Sequence, residues 1–390
     1  MGSIGFVLTL GALAAVSAMA IDICIPALPE IARALGASPD AGAALVTSYL
    51  LGYGPGQLFW GPLSDRYGRL GPLYIAVVGF LAASVACALA GTLEFLIYMR
   101  FVQGLTGGGA PAIARAIARD QGGGPETAKL ISTMTIIIGG APLAAPTLGS
   151  GLLTLGHWRW TFGFLVLFGL FLLAGIYLFL GQRKRRARRE AVTASAYVRS
   201  ALPLFRASDF LLGIGISSSI FCGYAAFLAV GATVALSRYA VSPGAFGPLF
   251  SIAAIAFIFG SVAARQSLKR FHRRRLLLGG AIVAVIAGVG LAAINASQPP
   301  LIGLWVLICL YIFSFGLLVP TATAMALEPA GLNAGLASSI IGTVQILAGA
   351  LSSKLVVLGV FGDSYRSLCL IMAASTAAAL VFALLSYRRP

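Results

Sequence analysis

The chain has 390 residues, of which 59% are hydrophobic and only 10% are charged, and its formal net charge is +16. Soluble globular proteins carry about 25% charged residues, so this composition excludes an ordinary water-facing surface and predicts an integral membrane protein. Membrane-spanning strands alternate apolar and polar residues. The apolar runs here are hydrophobic on every face, and we therefore expect helices.

Twelve apolar segments reach the length of about 20 residues that a membrane-crossing helix needs. In chain order they are Phe6–Ala34, Ala41–Trp60, Gly71–Ala90, Leu93–Ala118, Lys129–Leu155, Trp158–Gly181, Phe210–Leu236, Ala245–Ala264, Leu276–Ile294, Leu301–Leu327, Ala334–Val360 and Ser367–Tyr387. Loops on one side of this topology hold most of the 27 basic residues. Because cytoplasmic loops are enriched in Lys and Arg, we expect both termini in the cytoplasm and no nucleic-acid partner.

Asp22 lies deep in the first segment, shortly before Pro26 and Pro29. At 1.5 Å per residue it is about 24 Å from Phe6 and about 18 Å from Ala34. A carboxylate inside the bilayer costs several kcal/mol and marks a functional site. The alternative is that the prolines end the helix early, which would make Asp22 a helix-end acid reached by water.

The second segment carries Tyr49, Tyr53 and Gln57 at intervals of four. This spacing places them on one face of a helix, either in a substrate cavity or in packing. The turn that follows, from Gly61 to Leu70, has the order G-x-L-S-D-R-x-G-R. Composition alone would make that turn a solvated loop whose arginines anchor it at the cytoplasmic surface.

The fourth segment contains Arg100 and Gln103. Arg100 is about 10 Å from the outer end of its helix, and an arginine at that depth needs a partner or a water-filled cavity. Asp22 has a comparable depth and is the expected partner. The alternative is that Arg100 extends outward to the membrane surface.

The fifth segment contains four helix-bending or small residues, namely Gly139, Pro142, Pro146 and Gly149. They predict a bent helix that neighbours approach closely. Residues 182–208 form the longest hydrophilic interval, with a basic run at 183–189. We interpret the interval as a cytoplasmic linker along the anionic leaflet between domains 1–181 and 209–390. In the second domain, the candidate cavity residues are Phe221, Tyr224, Phe313 and Phe315.

The five cysteines occur singly in apolar segments, which predicts neither disulfides nor a metal site. The glycine run at 107–109 lacks the Lys-Ser/Thr of a phosphate-binding loop. We therefore expect no cofactor and a driving force other than ATP.

The order of residues from Gly61 to Leu70 resembles the signature loop of the major facilitator superfamily, between its second and third helices. The fifth segment resembles that of the drug:proton antiporter branch. Residues 22–30, 56–66 and 325–339 look like the corresponding stretches of Bcr/CflA-type multidrug exporters. Together these resemblances cover essentially the whole chain.

The resemblance implies an all-α integral membrane fold of two six-helix bundles around a central cavity that opens alternately to each side. It implies that Asp65 lies near the N-terminus of the eleventh helix, that Arg69 pairs with Asp120, and that Arg100 takes part in proton movement. The implied conformational switch comprises Gly61, Asp65, Arg66, Gly68, Arg69 and Asp120. One departure is that the first helix has no second acid within the membrane, since Glu30 falls at its outer end. This leaves proton coupling to Asp22 and Arg100.

The sequence therefore predicts a monomeric transporter of the inner membrane that exports small, mostly apolar compounds in exchange for protons. One alternative is a metabolite exporter or importer on the same fold, for sugars, nucleosides or amino-acid derivatives. Another is a membrane receptor or enzyme. The enzyme is disfavoured because His157 and His272 lie near helix ends and no catalytic cluster accompanies them.

Overall fold

The structure is a computed structural model that describes residues 3–121, 125–181, 199–295, 297 and 299–387. Helices and turns account for the ordered elements of this part of the chain, which contains no strand. The basic run at 183–189 and residues 182–198 of the predicted linker lie outside the described residues.

Twelve long helices follow one another along the described chain. Their bounds are Ile4–Asp22 continued by Leu28–Ala34 (α1), Ala43–Tyr67 (α2), Leu70–Ala88 (α3), Leu93–Gly107 continued by Gly109–Arg119 (α4), Pro125–Leu153 (α5), Arg159–Gly175 (α6), Ser208–Thr233 (α7), Pro243–Ser267 (α8), Arg273–Ile294 (α9), Leu301–Leu327 (α10), Ala334–Val357 (α11) and Ser364–Tyr387 (α12).

Ten of these twelve helices are long and apolar enough to cross a membrane. The other two are α2, which is rich in glycine and polar side chains, and α4, which breaks at Gly108 into pieces of 15 and 11 residues. The predicted twelve-helix fold is confirmed, and the chain is a multi-span membrane protein.

Two local differences from the predicted segments bear on function. Pro26 has no N–H to donate to the carbonyl of Asp22, so the first part of α1 ends at Asp22 and a short 3₁₀ turn leads into Leu28–Ala34. The predicted loop after Trp60 is largely helical, because α2 continues through Pro62 as far as Tyr67. The link to α3 is therefore only Gly68 and Arg69, and Gly68 has a φ of +87° that favours glycine.

The helices form two six-helix bundles with the same pairing scheme. In α1–α6, α2 packs on α4, α3 on α6 and α1 on α5; in α7–α12, α8 packs on α10, α9 on α12 and α7 on α11. Close glycine contacts recur at equivalent crossings: a Cβ at Gly104 would lie 2.1 Å from the Tyr49 carbonyl oxygen, and one at Gly260 would lie 2.0 Å from that of Phe313. Small residues allow such close approach between helices in a bilayer.

The bundles meet through α2 against α11 and α5 against α8. The hydroxyl of Thr343 donates to the Gly54 carbonyl (3.1 Å), and the hydroxyls of Thr147 and Ser251 are hydrogen-bonded at 3.0 Å. We call the end of the molecule that contains the α2–α3 turn the basic end.

Candidate functional site

A central cavity of ≈ 250 Å³ lies between the two bundles. The helices that line it come from both halves: α1, α2 and α5 from the first, and α7, α8, α10 and α11 from the second. The lining residues are Ser17, Ala18, Ile21, Asp22, Leu50, Tyr53, Ile138, Gly139, Pro142, Phe221, Tyr224, Leu228, Phe250, Ala253, Ala254, Phe257, Ile312, Phe315 and Ile346.

The second half supplies an aromatic wall to this cavity. Tyr224 and Phe315 stack with ring centroids 4.6 Å apart and an interplanar angle of 17°. Phe257 lies 5.5 Å from Phe315, and Phe221 lies 5.9 Å from Tyr224. Such a wall presents flat apolar faces to whatever enters the cavity.

Asp22 carries the one carboxyl group among the described residues that line the cavity, and no basic side chain is among them. It sits at the end of the first part of α1, where Pro26 interrupts the helix, and it is only 3% exposed. The helix does end early, as the alternative interpretation of the sequence required, yet the carboxyl group is buried all the same. An acid in such surroundings is a functional candidate.

Arg100 is completely buried and ties together three helices of the first half. Its Nη1 donates to the Ala20 carbonyl of α1 (3.1 Å) and to Oε1 of Gln103 (2.6 Å), and its Nε donates to the Leu45 carbonyl of α2 (3.4 Å). Its guanidinium lies 4.5 Å from the centroid of the Tyr49 ring. This combination of backbone carbonyls, an amide and a π-face surrounds the cation.

The expected ion pair between Arg100 and Asp22 is wrong: within the described chain, Arg100 makes its polar contacts to carbonyl oxygens and to Gln103. The reason is geometric. Arg100 reaches the backbone of α1 at Ala20, two residues before Asp22, whereas the Asp22 side chain lines the cavity. Outward extension of Arg100 to the membrane surface is equally excluded by its burial.

Some predicted cavity residues lie elsewhere. Tyr49 is beneath Arg100, and Gln103 donates from Nε2 to the Ser84 hydroxyl at 2.8 Å. Gln57 accepts from Arg115 at 3.3 Å on the basic side of the cavity. Phe313 is half-buried and its carbonyl faces Gly260 of α8. None of these four belongs to the described lining, whereas Tyr53, Phe221, Tyr224 and Phe315 do.

The lining residues of α8 escaped the sequence analysis. Phe250, Ala253, Ala254 and Phe257 follow the spacing i, i+3, i+4, i+7, which places them on one helical face. Because α8 is apolar on every face, the sequence does not show which face lines a cavity and which faces lipid. Phe250 and Phe257 were the only sign of this one.

The four residues singled out on α5 divide between the cavity and helix packing. Gly139 and Pro142 line the cavity. The Pro146 carbonyl faces Gly247 of α8, and a Cβ at Gly149 would lie 2.1 Å from the carbonyl oxygen of Ile23, in the break between the two parts of α1. The helix continues through both prolines.

At the basic end, Arg69 joins the α2–α3 turn to the end of α4. Its Nη1 lies 2.5 Å from Oδ1 of Asp65, and its Nε lies 2.9 Å from Oδ2 of Asp120. Nη1 also donates to the Ser64 hydroxyl at 2.8 Å. Burial lowers the pKa of Arg69, but hydrogen bonds and charge from Asp120 and Asp65 raise it by more, so this arginine stays charged.

The other residues of the implied switch have different surroundings. Arg66 is exposed and lies 5.2 Å from the centroid of the Tyr67 ring, and Gly61 has open space beside it. Arg119 lies near the start of α11: a Cβ at Gly335 would lie 2.7 Å from its Nη1. Asp65 forms an ion pair with Arg69.

The second half has ion pairs at the equivalent position. Arg273, at the start of α9, pairs with Glu328 after the end of α10, as Arg69 pairs with Asp120 after α4. Arg274 pairs with Asp209 in the first turn of α7 at 3.6 Å. The acids lie on other helices than the turn itself, so the sequence of the turn between α8 and α9 does not reveal these pairs.

Comparisons with known proteins agree with this geometry. The family model described as Major Facilitator Superfamily matches residues 10–353. The chain is 32% identical over 352 residues to the Uncharacterized MFS-type transporter YdgK of Bacillus subtilis (strain 168), covering 89% of this chain and 87% of that protein. It is 31% identical over 360 residues to Multidrug resistance protein D of Escherichia coli (strain K12), covering 90% and 88%.

The Bicyclomycin resistance protein homolog of Haemophilus influenzae (strain ATCC 51907 / DSM 11121 / KW20 / Rd) is 29% identical over 355 residues, covering 90% of this chain and 88% of that protein. Among solved structures, a D-xylose-proton symporter superposes with a TM-score of 0.77 at 19% identity, covering 99% of this chain and 97% of that chain. At this identity the structural likeness bears on the fold alone.

Proposed function

The chain belongs to the major facilitator superfamily, and from this premise we propose that it exports small, mostly apolar compounds in exchange for protons. The observation that carries the proposal is the central cavity, in which an aromatic wall from the second half faces a buried acid, Asp22, from the first. Export of toxic compounds is supported by the names of relatives that cover most of the chain, which refer to multidrug and bicyclomycin resistance.

In the proposed cycle, Asp22 takes up a proton when the cavity opens to one side and releases it when the cavity opens to the other. A charged carboxylate in apolar surroundings is costly, so a change in water access changes the balance between its two protonation states. The proton gradient then drives export without a cofactor. A cationic substrate would compete with the proton for Asp22, and a neutral one would act through the fit of the cavity.

Arg100 is proposed to hold the segment that carries Asp22. Its hydrogen bond to Ala20 fixes the last turn of α1, and its hydrogen bond to Leu45 fixes α2. Both helices contribute to the lining, through Asp22 and Tyr53 among others. Arg100 is thus a positioning residue that also places a positive charge behind the cavity wall.

The α2–α3 turn is proposed to be the conformational switch of the first half. The Arg69 ion pairs connect α2, α3 and the end of α4 at the basic end, so they would have to rearrange if α2 moved relative to α4. We propose that this end faces the cytoplasm, that the membrane is the bacterial inner membrane, and that the monomer is the working unit.

A sugar or nucleoside transporter on the same fold is less well supported. Such substrates carry many hydroxyl groups, and a site that binds them needs matching polar partners. Of the nineteen residue positions in the described lining, Ser17, Asp22, Tyr53 and Tyr224 carry polar side-chain atoms. The remaining lining favours an apolar ligand.

The proposed function is tested in inside-out membrane vesicles with an imposed pH gradient. A panel of apolar cations, apolar neutral compounds and sugars is offered, and uptake into the vesicles is measured with and without a protonophore. Gradient-dependent uptake of apolar compounds supports the proposal. Gradient-dependent uptake of sugars alone would replace it with metabolite transport.

Orientation is tested by labelling single cysteines with a membrane-impermeant thiol reagent, in a background without the five native cysteines. A cysteine at Lys269, between α8 and α9, should react only from the cytoplasmic side. A cysteine at Ser297, between α9 and α10, should react only from outside. The reverse pattern would invert the proposed topology.

A further inference from the structure

A second concave site lies on the outer surface of the first bundle, away from the central cavity. It is a groove of ≈ 350 Å³ between the end of α2 and the start of α3, lined by Leu63, Tyr67, Gly71, Pro72 and Ile75. All of its side chains are apolar except for the Tyr67 hydroxyl. Its rim is exposed: Tyr67 is 55% and Ile75 is 63% accessible.

Gly71 keeps part of this groove open. A Cβ at Gly71 would meet no other atom within 4 Å. This glycine has no positive φ and is not needed for a close helix crossing, unlike Gly52 or Gly104. A larger side chain would therefore fit at this position and would fill the groove.

A positive charge stands at the basic end of this groove. The guanidinium of Arg66 lies 5.2 Å from the centroid of the ring of Tyr67, which lines the groove. Arg66 forms no ion pair within the described part of the chain, whereas the nearby carboxylate of Asp65 is paired with Arg69. The Arg66 guanidinium is thus a cation without an ion-pair partner among the described residues, beside an apolar groove.

An apolar groove with a cation at its basic end matches an amphiphile, because an amphiphile has a hydrocarbon chain and can carry an anionic head. We propose that this groove binds an anionic phospholipid, with an acyl chain along Leu63, Pro72 and Ile75 and the phosphate at Arg66. In this arrangement Tyr67 would lie at the headgroup level, where tyrosine is commonly found in membrane proteins. A soluble peptide is a poor match, because the groove is apolar and its rim lies on the exposed surface of a multi-span membrane protein.

This inference is independent of the proposed transport reaction, since it concerns a separate surface. It also gives Arg66 a role different from that of Arg69, although both belong to one turn. Arg69 forms ion pairs within the protein, whereas Arg66 would bind the phosphate of a lipid.

The test is lipid binding to the purified full-length protein in detergent, measured by native mass spectrometry. The probes are dioleoylphosphatidylglycerol, dioleoylphosphatidylcholine and glycerophosphoglycerol, which is the head without chains. The variants are Arg66→Ala, Gly71→Leu, which fills the groove, and Arg270→Ala. Arg270 is the matched control: it lies on the equivalent turn between α8 and α9 and forms no ion pair among the described residues.

We expect the wild type to bind phosphatidylglycerol more tightly than phosphatidylcholine. Arg66→Ala should weaken phosphatidylglycerol binding about fivefold, the contribution of one basic residue near an anionic lipid surface, and Arg270→Ala should leave it unchanged. Gly71→Leu should weaken the binding of both lipids. If Gly71→Leu does not yield folded protein, Ile75→Trp fills the same groove from its exposed rim.

Three results would overturn the proposal. Equal losses in Arg66→Ala and Arg270→Ala would mean that lipid binds by general charge attraction. Binding of glycerophosphoglycerol as tight as that of the full lipid would mean a phosphate site without an acyl groove. Unchanged lipid binding in the groove-filling variant would place the lipid elsewhere.

Discussion

Each half of the molecule has a buried side chain on its fourth helix that donates a hydrogen bond to the backbone of its first helix. We call this hydrogen bond the tie; its donor is charged in the first half and neutral in the second. In the first half, Arg100 on α4 donates to the Ala20 carbonyl of α1 at 3.1 Å. In the second half, Tyr311 on α10 donates to the Ile220 carbonyl of α7 at 2.7 Å. Each is the fourth helix of its bundle reaching the backbone of the first, and both side chains are fully buried.

The difference shows that the fold does not need a charge at this place. A neutral hydroxyl performs the structural task in the second half, where Tyr311 is also hydrogen-bonded to Ser375 at 2.7 Å. Burying an arginine at the equivalent position costs free energy, and such a residue is therefore a functional candidate. The cavity divides in the same way, with Asp22 on the first-half side and the Tyr224–Phe315 stack on the second-half side. We infer that proton chemistry belongs to the first half and substrate shape to the second.

The largest effect should come from breaking the charged tie. Arg100→Ala leaves the carbonyls of Ala20 and Leu45 and the amide of Gln103 without this donor, and each buried polar group left unpaired costs about 1–3 kcal/mol. We expect a marked loss of thermal stability in detergent and no uphill export in proteoliposomes. Arg100→Lys should restore only part of the transport, because an ammonium lacks the planar fork of donors.

Tyr311→Phe is the matched control for Arg100→Ala. It removes the neutral tie while keeping the ring, at a cost of about 1 kcal/mol, and it should still allow proton-driven export. If Tyr311→Phe abolished coupling as completely as Arg100→Ala, the division of labour between the two halves would be wrong.

A smaller effect is expected from the aromatic wall. Phe315→Ala removes the stacking partner of Tyr224 and should weaken binding of a fluorescent apolar substrate about tenfold, since an aromatic contact contributes about 0.5–1.5 kcal/mol beyond its buried area. Phe313→Ala changes the same residue type two positions away, outside the described lining, and should change binding little. Equal losses in the two variants would indicate a general effect of α10 packing.

The smallest effect on stability should come from the basic-end ion pairs. Asp65 is 39% exposed and Arg69 keeps Asp120 as a partner in Asp65→Asn, so the variant should lose at most about 1 kcal/mol of stability. Its transport rate should nevertheless fall if the turn is the conformational switch that we propose.

Glu328→Gln is the matched control in the second half, where Glu328 pairs with Arg273 and is 60% exposed. We expect a smaller decrease in its initial transport rate, measured at equal protein content. A wild-type rate in Asp65→Asn would return the turn to the role of a simple anchored loop.

The sequence predicted features that depend on short-range order or on rare residues. Twelve long apolar segments identified the helices, and a single deep acid among them identified Asp22. It also predicted the Arg69–Asp120 pair, through the family resemblance. The sequence did not predict which side chains line the cavity or contact each other, because these depend on the rotation of each helix relative to its neighbours.

Tyr49 and Tyr53 illustrate that limit. They are four residues apart on one face of α2, yet only Tyr53 reaches the cavity, while Tyr49 is pressed beneath Arg100 by the close crossing of α2 and α4 at Gly104. The same crossing decides that Arg100 meets carbonyl oxygens and not Asp22. Spacing along one helix contains no information on the position of its neighbours.

The central claim is that Asp22 carries the coupled proton. The most direct measurement is substrate-induced proton release from the detergent-solubilised protein, followed with a pH indicator in weak buffer. We expect release from the wild type and none from Asp22→Asn, while Asp22→Asn still binds a neutral apolar substrate through the aromatic wall. Proton release from Asp22→Asn at the wild-type level, together with uphill export in proteoliposomes, would contradict the account.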